Sequence, residues 1–331
     1  MKVSDIGEFR LIELLSAVLP KEQNDQLLIG IGDDASAWRS NETITLVTTD
    51  TLVQDIHFTT QQSWKDIGWK ALAVNLSDIA AMGGIPQYAL VALSIPSETE
   101  VEHLSELYQG MAELAQQFHV QVVGGNISEA PVVVITLTVI GASLEDDLLT
   151  RTAAVPGDLI GVTGYLGSSA AGQMMLSQDF CFESASMSFL QNAHLRPQPR
   201  IAEGQTLVKL GVRAAIDISD GLTSDLSHIC KSSNVSARVN VDAIPINDAV
   251  NSTFPEESIG LALTGGEDYE LLFTCKKDIM NMVSRKFPGQ VTVIGEILEG
   301  ESKEISLIDK DGKPYHWHKR GWEHFKSTNN H

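Results

Sequence analysis

Apolar residues fall at helical spacing in EFRLIELLSAVL, residues 8–19, whereas TITLVTTD, residues 43–50, is dense in β-branched side chains and reads as a strand ending at Asp50. A long, largely apolar helix is predicted over residues 64–82 and is stopped by Gly83 and Gly84. There follow a strand in QYALVALSI, an amphipathic helix over residues 101–118 and a short Val-Val strand that runs into GGN, where the glycines read as a turn. Another strand lies in PVVVITLTVIG. Residues 143–158, SLEDDLLTRTAAVPGD, are polar and punctuated by proline and glycine, and place a boundary between domains at 1–147 and 148–331. The second half offers strands at LIGVTG, AAIDIS, ARVNV, YELLFTC and VTVIGEI, with helices near 168–177, 200–210, 222–232 and 276–286. The pattern is that of a two-domain α/β (α+β) chain. Both halves contain a β-rich stretch ending in Gly-Gly and a polar residue, VVGGN and LTGGED, a likeness too short to establish duplication.

Composition narrows the partners. The 331 residues are 43% hydrophobic and 20% charged, enough for two cores. A net charge of −20 repels a polyanion over most of the surface, so nucleic acid is not an expected partner. A small phosphate ligand remains compatible with that charge if bound cations supply what the side chains do not. Cys181, Cys230 and Cys275 form neither a CxxC pair nor a zinc spacing and read as reduced thiols. The beginning MKVSDIGEFRLIELL lacks the pattern of a signal peptide, and no run reaches the length of a membrane span. A cytoplasmic protein with no membrane partner is the expectation.

The acidic residues are placed unevenly. In IGIGDDASAW, Asp33 and Asp34 repel one another and read either as a solvated turn or as ligands of a cation that offsets the repulsion. Asp50 follows Thr48 and Thr49, which can supply further oxygens to a hard cation. Asp78 sits in KALAVNLSDIAAMGG, where a carboxylate among apolar residues is costly unless hydrogen-bonded, paired or bound to metal. In AAIDISDGLTSDL, Asp217 and Asp220 flank Ser219 ahead of a helix that either Ser219 or Asp220 might otherwise cap. Recurrence at element ends in both halves favours convergence on Mg²⁺, which binds through a few carboxylates plus substrate phosphates. There is no GxxxxGK[ST] loop and no protein-kinase lysine signature, so phosphoryl transfer here takes another route.

The segments GIGDDA, TTDTLVQDIHF, KALAVNLSDIAAMGGIP, VVGGN, GDLIGVTGYLGSSAAG, HLRPQPR, IDISDGL, LTGGEDYELLF and GWEHF, in this order over nearly the whole chain, resemble the thiamine-monophosphate kinase family. That family belongs to the aminoimidazole-ribotide synthetase-like superfamily, whose sister enzymes use ATP on other small acceptors. The resemblance implies a homodimer in which N-terminal domains pair into a β-barrel, each with a C-terminal α/β domain beside the site. It also implies ATP, several Mg²⁺ ions and thiamine monophosphate as acceptor. Metal ligation is implied for Asp34, Thr48, Thr49, Asp50, Asp78, Asp217 and Asp220, with Asp33 a weaker neighbour and Asp220 the carboxylate closest to catalysis. Nucleotide contacts are implied for Tyr108, Gly125, Asn126, Arg151 and Ser219, and substrate contacts for His57, Glu267 and Trp322. Read without the resemblance, His57 is equally a strand histidine, Tyr108 a packing residue and Trp322 a tail anchor. The family usually carries aspartate where this chain has Asn126, a neutral oxygen that can still ligate Mg²⁺ but brings no charge. Because the acceptor is an ionised phosphate oxygen, direct in-line transfer needs no general base. A binding protein that has lost turnover is the remaining alternative.

Overall fold

The computed structural model describes residues 2–19, 25–143, 147–177, 185–300 and 303–317. The first half contains α1 (Val3–Ser16), β1 (Leu27–Ile29), β2 (Ser36–Ser40), β3 (Thr43–Val53), α2 (Trp64–Ala81), β4 (Ile85–Ile95), α3 (Val101–Phe118), β5 (Gln121–Glu129) and β6 (Val134–Ser143). The second contains β7 (Leu159–Thr163), α4 (Ser168–Ser177), α5 (Ala185–Leu195), α6 (Ile201–Lys209), β8 (Ala214–Asp217), α7 (Leu222–Ser233) and β9 (Ser236–Asn240). It continues with α8 (Asp248–Thr253), α9 (Ser258–Thr264), β10 (Leu271–Cys275), α10 (Lys277–Lys286), β11 (Val291–Leu298) and β12 (Ile305–Ile308). Each half builds one six-stranded sheet, in the orders β1-β2-β3-β6-β4-β5 and β12-β9-β11-β7-β10-β8. Both sheets are mixed: β4 with β5 and β12 with β9 run parallel, and their other neighbours antiparallel.

In the first sheet, alternation decides what faces what. Ile44, Leu46, Thr48 and Leu52 of β3 and Ile135, Leu137 and Val139 of β6 point inward onto α2. Helix α2 is buried nearly all round, because its other side packs on α6 and β8 of the second half. One continuous core therefore joins Leu72, Leu76 and Ile79 to Ala215, Leu271 and Phe273. The helix ends where the sequence stops it: the Gly83 and Gly84 amides donate to the Ala80 and Ile79 carbonyls at 2.9 Å each.

Helices α2 and α3 touch backbone to backbone. A Cβ on Gly68 would lie 1.8 Å from the Leu107 carbonyl oxygen, and one on Gly110 would lie 1.8 Å from that of Lys65. Gly68→Ala is expected to force the helices apart, costing about 3 kcal/mol and lowering the melting temperature by roughly 4 °C. Thermal denaturation checks this; an unchanged melting temperature would refute the close packing.

Two expectations are corrected. GGN is not a turn: β5 continues through Gly124, Gly125 and Asn126 to Glu129, with Asn126 opposite Ala92 of β4. The glycine is needed for sheet contact, since a Cβ on Gly125 would sit 1.8 Å from the Val91 carbonyl oxygen. Asp50 likewise lies inside β3, which runs on to Val53 with full pairing to β6. The outer face of the first sheet is uncovered, with Tyr88 and Leu90 of β4 exposed on it, and the edge strand β5 is exposed along its whole length, Val122, Val123 and Ile127 included. Among the described residues no helix is long and apolar enough to cross a membrane. Cys230 and Cys275 are buried free thiols, and Cys181 lies outside the described residues.

Candidate active site

Strand β2 pairs with β3 only as far as Val47, so residues 48–53 keep β6 on one edge and leave the other open. A cleft of about 560 Å³ opens along that edge, between β3 and α2 on one side and the β8–α7 and α9–β10 connections on the other. The Asp50 amide at this edge donates to Asn75 Oδ1 on α2 at 3.1 Å.

The inner wall carries three carboxylates from three separate elements. Asp34 precedes β2, Asp78 comes from α2 and Asp217 ends β8, and each offers an oxygen within 4.8 Å of the others. Local bonds aim them: Thr48 Oγ1 donates to Asp78 Oδ2 at 2.5 Å, and Ser77 Oγ donates to Asp217 Oδ2 at 2.6 Å. The Arg151 guanidinium donates to Asp34 Oδ1, while the Arg151 amide donates to Asp33 Oδ2 at 3.1 Å. Asp33 is thus a brace for the residue 151 backbone.

Electrostatically the cluster is strained. Burial, followed by the charge of Asp34, pushes Asp217 up to about 8. Asp78 is raised well above its ordinary value by burial and then by Asp50 and Asp217. Asp34 is raised by burial despite Arg151, and Asp50 by burial despite a hydrogen bond with Asp78. Asp34 Oδ2 is buried without a hydrogen-bond partner. An all-oxygen donor set with an orphaned oxygen and mutual repulsion fits a hard divalent cation such as Mg²⁺.

A second group lies beside it. Asp220, Asp225 and His228 bring ligand atoms within 4.8 Å of one another. Neither Ser219 nor Asp220 caps α7; the N-cap is Gly221 at φ 106°, and Asp225 Oδ2 accepts the Asp220 amide at 3.1 Å. Burial lowers His228 to about 4, keeping its ring neutral, and the ring lies 4.5 Å from that of Phe9 on α1. Glu8 and Phe9 complete that side of the cleft. His57 Nδ1 accepts the Val53 amide at 3.0 Å, and Glu267 enters the cleft from a turn where its own φ is 65°.

The fold and this site have relatives. The family model described as AIR synthase related protein, N-terminal domain, matches residues 32–143, and its C-terminal counterpart matches residues 155–308. The thiamine-monophosphate kinase of Bacillus subtilis is 36% identical over 324 residues, spanning 95% of this chain and 99% of the relative. That of Escherichia coli K12 is 37% identical over 325 residues, spanning 96% and 98%. The chain belongs to the thiamine-monophosphate kinase family. A solved structure, AaThiL complexed with AMPPCP and TMP, superposes with a TM-score of 0.87 at 32% identity, covering 98% of this chain and 99% of that one.

Of the residues that the family resemblance singles out, Asp34, Thr48, Thr49, Asp50, Asp78, Asp217, Asp220, Arg151, Ser219, His57 and Glu267 line the cleft. Thr49 faces away from Thr48, its hydroxyl donating to the Leu137 carbonyl at 2.9 Å. Tyr108, Gly125 and Asn126 do not line it: Tyr108 is exposed on α3, and the other two lie on exposed β5. Trp322 lies outside the described residues. Sequence reasoning missed Glu8, Phe9, Lys70, Asn75, Ser77, His194, Asp225 and His228. A signal for three of them was present in KALAVNLSD, where Lys70, Asn75 and Ser77 are polar positions on a helix apolar all round.

Proposed function

We propose that this family member transfers the γ-phosphoryl group of ATP to the phosphate of thiamine monophosphate, giving ADP and thiamine diphosphate. The observation that carries the reading is the Asp34, Asp78 and Asp217 cluster in the cleft of a chain that matches its kinase relatives over nearly its whole length. An acceptor phosphate oxygen forms a new bond to the γ-phosphorus while the bond from that phosphorus to the β,γ-bridging oxygen breaks in line with it. The acceptor oxygen is already ionised, so no side chain must remove a proton.

Asp34, Thr48, Thr49, Asp50, Asp78, Asp217 and Asp220 would hold several Mg²⁺ ions, which when bound neutralise phosphate charge and stabilise charge developing in transfer. Asp220 takes the position nearest the reacting phosphates, on a loop fixed by Asp225. Arg151 holds Asp34 in place and presents its remaining guanidinium face toward nucleotide phosphate, beside Ser219. His57 and Glu267 receive the acceptor. The open edge strand β5, with exposed Val122, Val123 and Ile127, supports pairing with a second copy into a dimeric barrel, and Gly125, Asn126 and Tyr108 would reach nucleotide and metal only through such an assembly. The division into domains at 1–147 and 148–331 and a cytoplasmic setting, suited to ATP and to buried free thiols, complete the proposal.

The test is incubation of protein, ATP, Mg²⁺ and thiamine monophosphate with chromatography of the products. Equal yields of thiamine diphosphate and ADP are expected; tight Mg-ATP binding without product would replace the kinase reading with a binding protein. Asn126→Asp is expected to lower the Mg²⁺ concentration for half-maximal rate about threefold, by restoring one negative ligand. A rate curve superposable on the unaltered protein's would remove residue 126 from the metal site.

A further inference from the structure

Lys70 is the anomaly of α2. Its side chain is 3% exposed in a helix whose neighbours are apolar, where an unbranched hydrocarbon would pack more cheaply than an ammonium. Its Nζ lies 2.8 Å from Glu267 Oε1 and 3.4 Å from His194 Nε2. An ammonium has no acceptor, so Nε2 must accept and the imidazole proton must sit on Nδ1. That nitrogen is 3.2 Å from Ser169 Oγ, to which it donates, and 3.3 Å from Glu267 Oε2. Burial and then Lys70 lower His194 to about 4, in accord with this neutral tautomer. The network thus joins α2 of the first half to α4, α5 and the Glu267 turn of the second.

Glu267 is itself held at a cost. A non-glycine residue at φ 65° is strained, and the turn keeps it there by donating the Glu267 amide to the Ser219 carbonyl at 2.8 Å. Burial alone would push its carboxyl up; the positive charge of Lys70 is the largest effect that outweighs this and holds it below the usual range. Buried ion pairs seldom add net stability. Two costly features converging on one side chain that lines the cleft point to a task in the site.

We propose that Lys70, with His194, is a positioning residue that fixes the Glu267 carboxylate as an anion for the cationic thiazolium ring of the acceptor. It thereby governs choice of acceptor and not phosphoryl transfer itself. This rests on the kinase reading above.

The experiment compares the full chain with Lys70→Met and His194→Gln, using thiamine monophosphate and an analogue whose thiazolium is replaced by an uncharged triazole. Lys70→Met is expected to raise the acceptor KM at least about tenfold, equivalent to one decade of affinity. The ATP KM and kcat stay within about threefold, and the preference for the cationic acceptor over the triazole narrows by the same decade. His194→Gln shifts the same quantities in the same direction by less. An unchanged acceptor KM and preference in either folded variant, or an equal rise in the ATP KM, would overturn the proposal. If Lys70→Met does not fold, His194→Gln decides alone. Should the unaltered protein show no turnover, the kinase reading fails separately, and calorimetric binding of thiamine monophosphate then decides: affinity equal in both proteins rejects the role of Lys70.

Discussion

Asp217→Asn is expected to lower turnover about a thousandfold and at the same time to raise the melting temperature of the metal-free protein at pH 8.5 by roughly 5 °C. Both effects have one source. Asparagine matches aspartate in volume and still accepts from Ser77 Oγ, so packing and the hydrogen bond across the two halves survive. What disappears is a buried charge facing Asp34 and Asp78. Without metal that charge only repels, and at pH 8.5, above its value of about 8, the ionised form predominates. With Mg-ATP it is a ligand whose loss removes charge stabilisation from the transition state. Single-turnover kinetics at saturating Mg²⁺ and calorimetry in chelator measure the two sides. A variant that transfers phosphate near the normal rate, or one that melts earlier without metal, contradicts the assignment of Asp217 to a metal site.

Between pH 6.5 and 8 the metal-free protein should become less stable. Burial raises Asp217 from 3.8 to about 8 and Asp268 from 3.8 to about 7, and it raises Asp34 and Asp78 as well. A carboxyl raised by folding keeps its proton in the native state after the unfolded chain has released it. Its stabilisation is complete below the unfolded value and is lost as pH climbs through the folded one. Each such group costs about 1.36 kcal/mol per pH unit, so the loss over this window is about 2 kcal/mol for Asp217 alone. His194 and His228, both lowered to about 4, act with the opposite sign, adding stability as pH rises toward 6.5. Most of that gain is complete by pH 6.5, and the remainder above it is smaller than the loss from the carboxyls. Mg²⁺ binds the ionised carboxylates, so 10 mM of it, an amount on the order of that used with kinases, should raise the melting temperature more at pH 8 than at pH 6.5. A melting temperature that is flat with pH and indifferent to Mg²⁺ would disprove a buried, metal-ready cluster.

How much of this was legible depends on which forces acted locally. Helix α3 and strands β4 and β6 carry their periodicity along nine or more residues and are read directly from it, while α2 is read from its long apolar run and the glycines that stop it. Strand β5 is longer than its sequence predicts because Gly124 and Gly125 carry the signature of a turn; only the approach of Val91 reveals Gly125 as a sheet glycine. Aspartates 34, 50, 78, 217 and 220 stood out because carboxylates near apolar runs need an explanation. Their convergence depends on the crossing of α2 between the sheets, which local sequence does not encode. Lys70 has only its place in an apolar helix to mark it, and His194 has no local signal, because a histidine is unremarkable until its burial is known.

Helix α2 has a further consequence for how the protein comes apart. Its Ala71–Ile79 stretch is walled by the first sheet on one side and by α6 and β8 on the other. Severing the chain within residues 143–158 would strip one wall from that stretch and leave Lys70 without Glu267. The two sheets are thus separate in topology but share one unfolding transition: heat should melt them together in a single peak, and neither half should persist as a protease-resistant fragment.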